Sequence, residues 1–160
     1  MKKLDELIFK TLCGICVVLM MAMMTVIFAQ VVARYALGNS LSWSEEVGRY
    51  IFVWITFLGM VVAFKAGAHV ALDIVLQKLC GKTRKMLRSV NCVLILVLAV
   101  GLFFSSLELM ELGAMQESPA LELPMNWVYS VIPVSGFLMI YFALRAVWTS
   151  LFDKSEDVEC

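Results

Sequence analysis

Four long stretches without a charged side chain, 11 to 33, 50 to 64, 89 to 107 and 123 to 144, constrain this chain more than any other feature. A bilayer core of about 30 Å takes about 20 helical residues to cross, and backbone groups in lipid must find partners within their own helix. Of the 160 residues, 62% are hydrophobic and 16% charged, whereas a soluble domain lies nearer ~45–50% apolar. The expected fold class is therefore an all-α integral membrane protein with four transmembrane helices. They should form one membrane domain over 1–160, with spans at about 11–33, 43–66, 88–108 and 123–145.

The second stretch is short, because its 15 uncharged residues reach only about 22 Å at 1.5 Å per residue. Its helix must extend past its charged ends. Gly38-Asn39 signals a turn, and Ser42-Trp43-Ser44-Glu45 has the form of a capping box, which starts the helix near Trp43. Glu45 and Glu46 then stand one turn before Arg49 and are expected to pair with it. In the last stretch, Pro133 should kink or loosen the helix, with Ser130 a partner for the freed backbone.

Orientation follows from the 13 basic residues. Lys2, Lys3 and Lys10 precede the first span. Lys65, Lys78, Lys82, Arg84, Lys85 and Arg88 surround the second loop, and Arg145 and Lys154 end the chain. Only Arg34 and Arg49 belong to the first loop, and the third loop has none. Positive charge collects on the cytoplasmic side, so both termini are predicted inside. The third loop carries Glu108, Glu111, Glu117 and Glu122 instead, read as simple solvation. The first hydrophobic stretch exceeds the ~7–15 residues of a signal-peptide core, so an uncleaved helix is expected. Leu4, Leu7 and Ile8 beside Lys3, Asp5 and Glu6 suggest a short amphipathic turn at the inner interface. Leu72, Val75, Leu76 and Leu79 suggest a second interfacial helix, ending at Gly81.

Cys13 and Cys16 have the spacing of a redox pair. They fall at the cytoplasmic end of span one, away from the oxidising face, so inert thiols are expected. His69 stands four residues from both Lys65 and Asp73, an interfacial arrangement with no acid deeper in the membrane to continue a proton relay. No catalytic motif, phosphate loop or metal-ligand spacing is present, no cofactor is implied, and no basic surface suits nucleic acid. Gly59, Ala63 and Gly67 repeat every four residues, a small-residue face that lets another helix approach closely. Trp54 lies deeper than the other aromatics and suits packing or lipid contact.

These residues carry a resemblance. Arg34-Tyr35, then Leu41-Ser42-Trp43-Ser44-Glu45-Glu46-Val47-Gly48-Arg49-Tyr50, then Trp54, Phe57-Leu58-Gly59, and finally Gly67-Ala68-His69-Val70 with Asp73, together resemble the signature of the small membrane subunit of TRAP (tripartite ATP-independent periplasmic) transporters. Spans three and four match mainly in pattern, including Ile132-Pro133 and Gly136.

The resemblance implies a non-enzymatic accessory role in a bacterial inner membrane. A periplasmic binding protein delivers an organic acid, and a large membrane subunit couples its import to sodium by an elevator motion. The small subunit pairs with the large one as a heterodimer within the lipid, as a static scaffold. The expected partner-facing residues are Arg34, Tyr35, Trp43, Glu45, Glu46, Arg49, Trp54, Gly59, Ala63, Gly67, His69 and Asp73. C4-dicarboxylates, sialic acid and sugar acids stay open as substrates. A stand-alone homo-oligomeric small transporter and a four-helix membrane redox enzyme are the alternatives; the first lacks an embedded acid, the second a thiol pair at the right face.

Overall fold

A computed structural model describes residues 2–36, 38, 42–67 and 82–152. Helix α1 runs over Lys2–Ala36, α2 over Ser42–Lys65 and α3 over Lys82–Gly113. A single turn, α4, covers Asn126–Tyr129, and α5 follows over Val131–Phe152. Four helical segments, the last of them α4 and α5 together, are long and apolar enough to cross a membrane. Among the described residues there is no strand, only an isolated bridge between Glu117 and Pro124.

The break between α4 and α5 falls at Ser130. Pro133 has no N–H to offer the carbonyl of Tyr129, so it sits in the first turn of α5, where that donor is dispensable. The Ser130 hydroxyl donates to the carbonyl of Trp127 at 2.6 Å rather than to the one Pro133 frees. Residues 2 to 10 continue α1 without interruption instead of forming a separate interfacial turn, because Asp5 finds its partners on α5. The proposed interfacial helix over 72–79 lies outside the described residues.

The packing order differs from the chain order. α1 lies against α2, α2 against α5, and α5 against α3, so the last helix occupies the middle. The core joins Leu12 of α1, Leu58 and Val61 of α2 and Ala99 of α3 to Val131, Ile132, Met139 and Phe142 of α5. Gly136 makes the α3 contact possible: a Cβ there would stand 3.3 Å from the Cα of Phe103, leaving no room for a larger side chain. Half of the most apolar window of the last span is buried, against 6% for α1. Lipid solvates apolar side chains as well as a protein core does, so the exposed Val18, Met21, Met24 and Phe28 of α1 cost nothing in a bilayer.

One end of the molecule gathers the start of α1 and the ends of α2 and α5. Asp5, 6% exposed, accepts from Tyr141 Oη at 2.7 Å and pairs with Arg145 at 2.5 Å. Lys65 Nζ stands 5.2 Å from the centre of the Phe142 ring, a cation–π distance. Cys13 and Cys16 are free, half-buried thiols in α1.

Candidate functional site

The opposite end of α2 carries the charged cluster singled out by sequence. At 3.6 residues per turn, positions advance about 100° each around a helix. Glu45, Arg49, Phe52, Thr56, Gly59 and Ala63 therefore share one narrow stripe of α2, while Glu46, Tyr50, Trp54, Leu58 and Val61 turn away from it. The stripe is uncovered: Glu45, Arg49, Phe52, Thr56 and Ala63 are exposed and Gly59 is partly so. A Cβ added at Gly59 would meet no atom within 4 Å. Trp54, by contrast, packs against the core.

Glu46 departs from expectation. It does not pair with Arg49; it is 7% exposed, and its carboxylate reaches across to the loop between α3 and α4. Ser118 Oγ donates to Oε2 at 2.9 Å, the Ala120 amide to Oε1 at 2.9 Å, and the Leu121 amide to Oε2 at 3.2 Å. A buried carboxylate is tolerable only when its oxygens are satisfied this way. The physical reason is availability: the loop tip brings backbone amides without helical partners against the carboxylate, and they satisfy it in place of Arg49. Among the described residues, no ion pair joins Arg49 to either glutamate.

The loop is shaped to meet the carboxylate. The Ser118 amide donates to the Leu123 carbonyl at 3.0 Å and the Met125 amide to the Gln116 carbonyl at 2.9 Å, closing its mouth. Within the tip, the Glu122 amide bonds the Ser118 carbonyl at 3.0 Å, and Glu122 takes a left-handed φ of 50°. One turn along α2 from Glu46, Tyr50 Oη donates to Met125 Sδ at 3.5 Å, so α2 holds both limbs of the loop. No sequence signal identified the pairing of Glu46 with Ser118, since 72 residues separate them.

Other site residues divide plainly. Arg34, Tyr35 and Trp43 are exposed where α1 gives way to α2. Gly67 lies past the end of α2 with φ 71°, its amide bonded to the Phe64 carbonyl at 3.1 Å. It ends the helix by adopting a conformation glycine takes freely, so the small-residue repeat within α2 is confined to Gly59 and Ala63. His69 and Asp73 lie outside the described residues.

Four helical segments long and apolar enough to cross a membrane define a multi-pass all-α membrane protein. Among the described residues no group of His, Cys, Asp or Glu is placed to hold a metal. The sequence model of the family described as tripartite ATP-independent periplasmic transporters, DctQ component, matches residues 23–153. The chain belongs to this family, whose members are parts of transporters and not enzymes.

Its relatives include the ectoine TRAP transporter small permease protein TeaB of Halomonas elongata, 31% identical over 89% of this chain and 79% of that one. The sialic acid TRAP transporter small permease protein SiaQ of Vibrio cholerae is 27% identical over 84% of this chain and 78% of its own length. A third, the isethionate TRAP transporter permease protein DctMQ of Oleidesulfovibrio alaskensis, is 38% identical over 61% of this chain but only 16% of its own length.

Proposed function

We propose that this chain is the accessory membrane subunit of a sodium-coupled TRAP transporter that imports an organic acid, bracing the large transport subunit as part of its static scaffold. The observation that carries this is the uncovered stripe Glu45, Arg49, Phe52, Thr56, Gly59 and Ala63, where small residues let a foreign helix approach and charge at the end sets its register. Arg34, Tyr35 and Trp43, exposed where α1 gives way to α2, are further residues assigned to the partner, with His69 and Asp73 assigned to it at the other end of α2. The long DctMQ relative, of which this chain matches 16%, supports a partner large enough to be the rest of a permease.

The chain sits in the bacterial inner membrane with both termini cytoplasmic. This is supported by the distribution of Lys and Arg and by the Asp5–Arg145 pair, which keeps the first and last helices together at one end. A periplasmic binding protein delivers the substrate. The relatives are named for ectoine, sialic acid and isethionate, so similarity does not choose among carboxylates such as C4-dicarboxylates, sialic acid and sugar acids.

The test is to tag the chain, express it from its native operon and purify it in mild detergent. A stoichiometric many-helix membrane protein should accompany it, and deletion of the chain should abolish organic-acid uptake. Recovery as a homo-oligomer alone, with uptake intact in the deletion strain, would overturn the proposal.

A further inference from the structure

Among the described residues two charged side chains are buried, Asp5 on α1 and Glu46 on α2. Both come from the first pair of helices, and both are met by the second pair. Tyr141 Oη and Arg145 of α5 donate to Asp5. Ser118 Oγ and the Ala120 and Leu121 amides, from the loop that joins α3 to α4, donate to Glu46. The two carboxylates also stand at opposite ends of the molecule. Asp5 is close enough to Lys65, the last residue of α2, to feel its charge, whereas Glu46 lies near the start of that helix. About 28 Å of helix separates Glu46 from Lys65 at 1.5 Å per residue, close to the ~30 Å of a bilayer core.

Each carboxylate has a weaker companion across the same boundary. At one end Lys65 Nζ of α2 stands over the Phe142 ring of α5; at the other, Tyr50 Oη of α2 donates to Met125 Sδ just before α4. Between the ends the seam is apolar, with Leu58 and Val61 of α2 in one cluster with Val131, Ile132 and Met139 of α5. Among the described residues α2 meets α5 less extensively than α1 meets α2 or α3 meets α5. Lipid solvates such a seam as well as another helix does, so apolar packing gives little preference for one angle between the pairs over another. Hydrogen bonds weaken steeply when bent or stretched, and those to a carboxylate are the strong kind. The polar contacts at the two ends therefore hold the angle.

We propose that the chain is two helical hairpins, α1 with α2 and α3 with α5, and that Asp5 and Glu46 are paired clasps fixing the angle between them, one at each face of the membrane. Two fixed points hold the seam rigid; one leaves a pivot. Release of one clasp lets the hairpins swing about the other, and a tilt of about 10° over about 28 Å moves the free end by about 5 Å. The device belongs to this chain alone and works without any partner.

The experiment uses the full chain in lipid nanodiscs, with spin labels carried by unnatural residues at exposed positions and distances read by double electron–electron resonance. Leu7 of α1 with Val90 of α3 reports on the Asp5 end, and Tyr35 of α1 with Leu112 of α3 on the Glu46 end. Asp5→Ala should lengthen and broaden the first distance by several ångströms and leave the second parental. Glu46→Ala should do the reverse, and the double variant should release both ends. Asp5→Asn and Glu46→Gln keep the volume and an acceptor and should shift the same end by less, so the comparison stands even where an alanine variant does not fold. A parental distance at the unclasped end in either alanine variant would overturn the proposal. So would a single variant that loosens both ends alike, which is general destabilisation and not the loss of one clasp. Neither result bears on the accessory-subunit function, which is decided by co-purification and uptake.

Discussion

Asp5 is buried, with its side chain 8% exposed, and Arg145 opposite it is 30% exposed. Removing the arginine leaves a desolvated carboxylate with only Tyr141 to satisfy it, whereas removing the carboxylate charge leaves a guanidinium that water can reach. Arg145→Ala should therefore lower stability by about 1–3 kcal/mol, below the ~3–5 of a fully buried pair because the guanidinium is partly solvated. Asp5→Asn should cost less, and thermal unfolding in detergent ranks the two. Arg49 stands on the exposed stripe without an intramolecular ion pair among the described residues, so Arg49→Ala should change unfolding by less than about 0.5 kcal/mol. If the same variant loses the large subunit on purification, Arg49 acts across an interface; if recovery stays parental, the stripe does not rely on its charge. The charges of the 34–49 region were legible in sequence, but the direction each side chain takes was not. A charge's partner is set by which unpaired donors tertiary structure brings near, and local spacing favoured Arg49 only because the loop was out of sight.

At the level of helices, glycine separates internal packing from external association. Gly136 faces the Phe103 backbone at 3.3 Å from a would-be Cβ. Gly136→Val must push α3 and α5 apart and should destabilise by about 1–3 kcal/mol, as overpacking does, again read by thermal unfolding. Gly59 faces open space in the chain itself. Gly59→Leu should leave the unfolding temperature of the isolated subunit unchanged yet sharply reduce co-purification of the large subunit. An unchanged yield would move the interface off this stripe. Helix positions could be read from the uncharged stretches because lipid leaves the backbone few choices. Their ends could not: α1 and α3 run well beyond the apolar stretches, since polar residues at a membrane surface continue a helix without penalty. Pro133 announced a break, but its position at Ser130 depended on where a proline is tolerated within the first turn.

For the molecule as a whole, sequence gave the number of helices and left their order in space undetermined. Apolar stretches carry no partner labels when lipid and protein are equally good neighbours, and the signal for the middle place of α5 lay in small residues such as Gly136 and Ala143, which pack without any period that singles them out. That middle place bears on how the protein is made. α1, α2 and α3 leave the ribosome before the helix that separates α2 from α3 exists, so the apolar faces of α2 and α3 that pack on it meet lipid until it arrives. Asp5 waits without Arg145 and Tyr141 through nearly the whole of synthesis, and the core residues of α2 and α3 wait with it. Arrival of the final helix converts a loose set of spans into a subunit in one step. A chain that stops short of it would keep Asp5 without Tyr141 and Arg145, a carboxylate with neither of its partners.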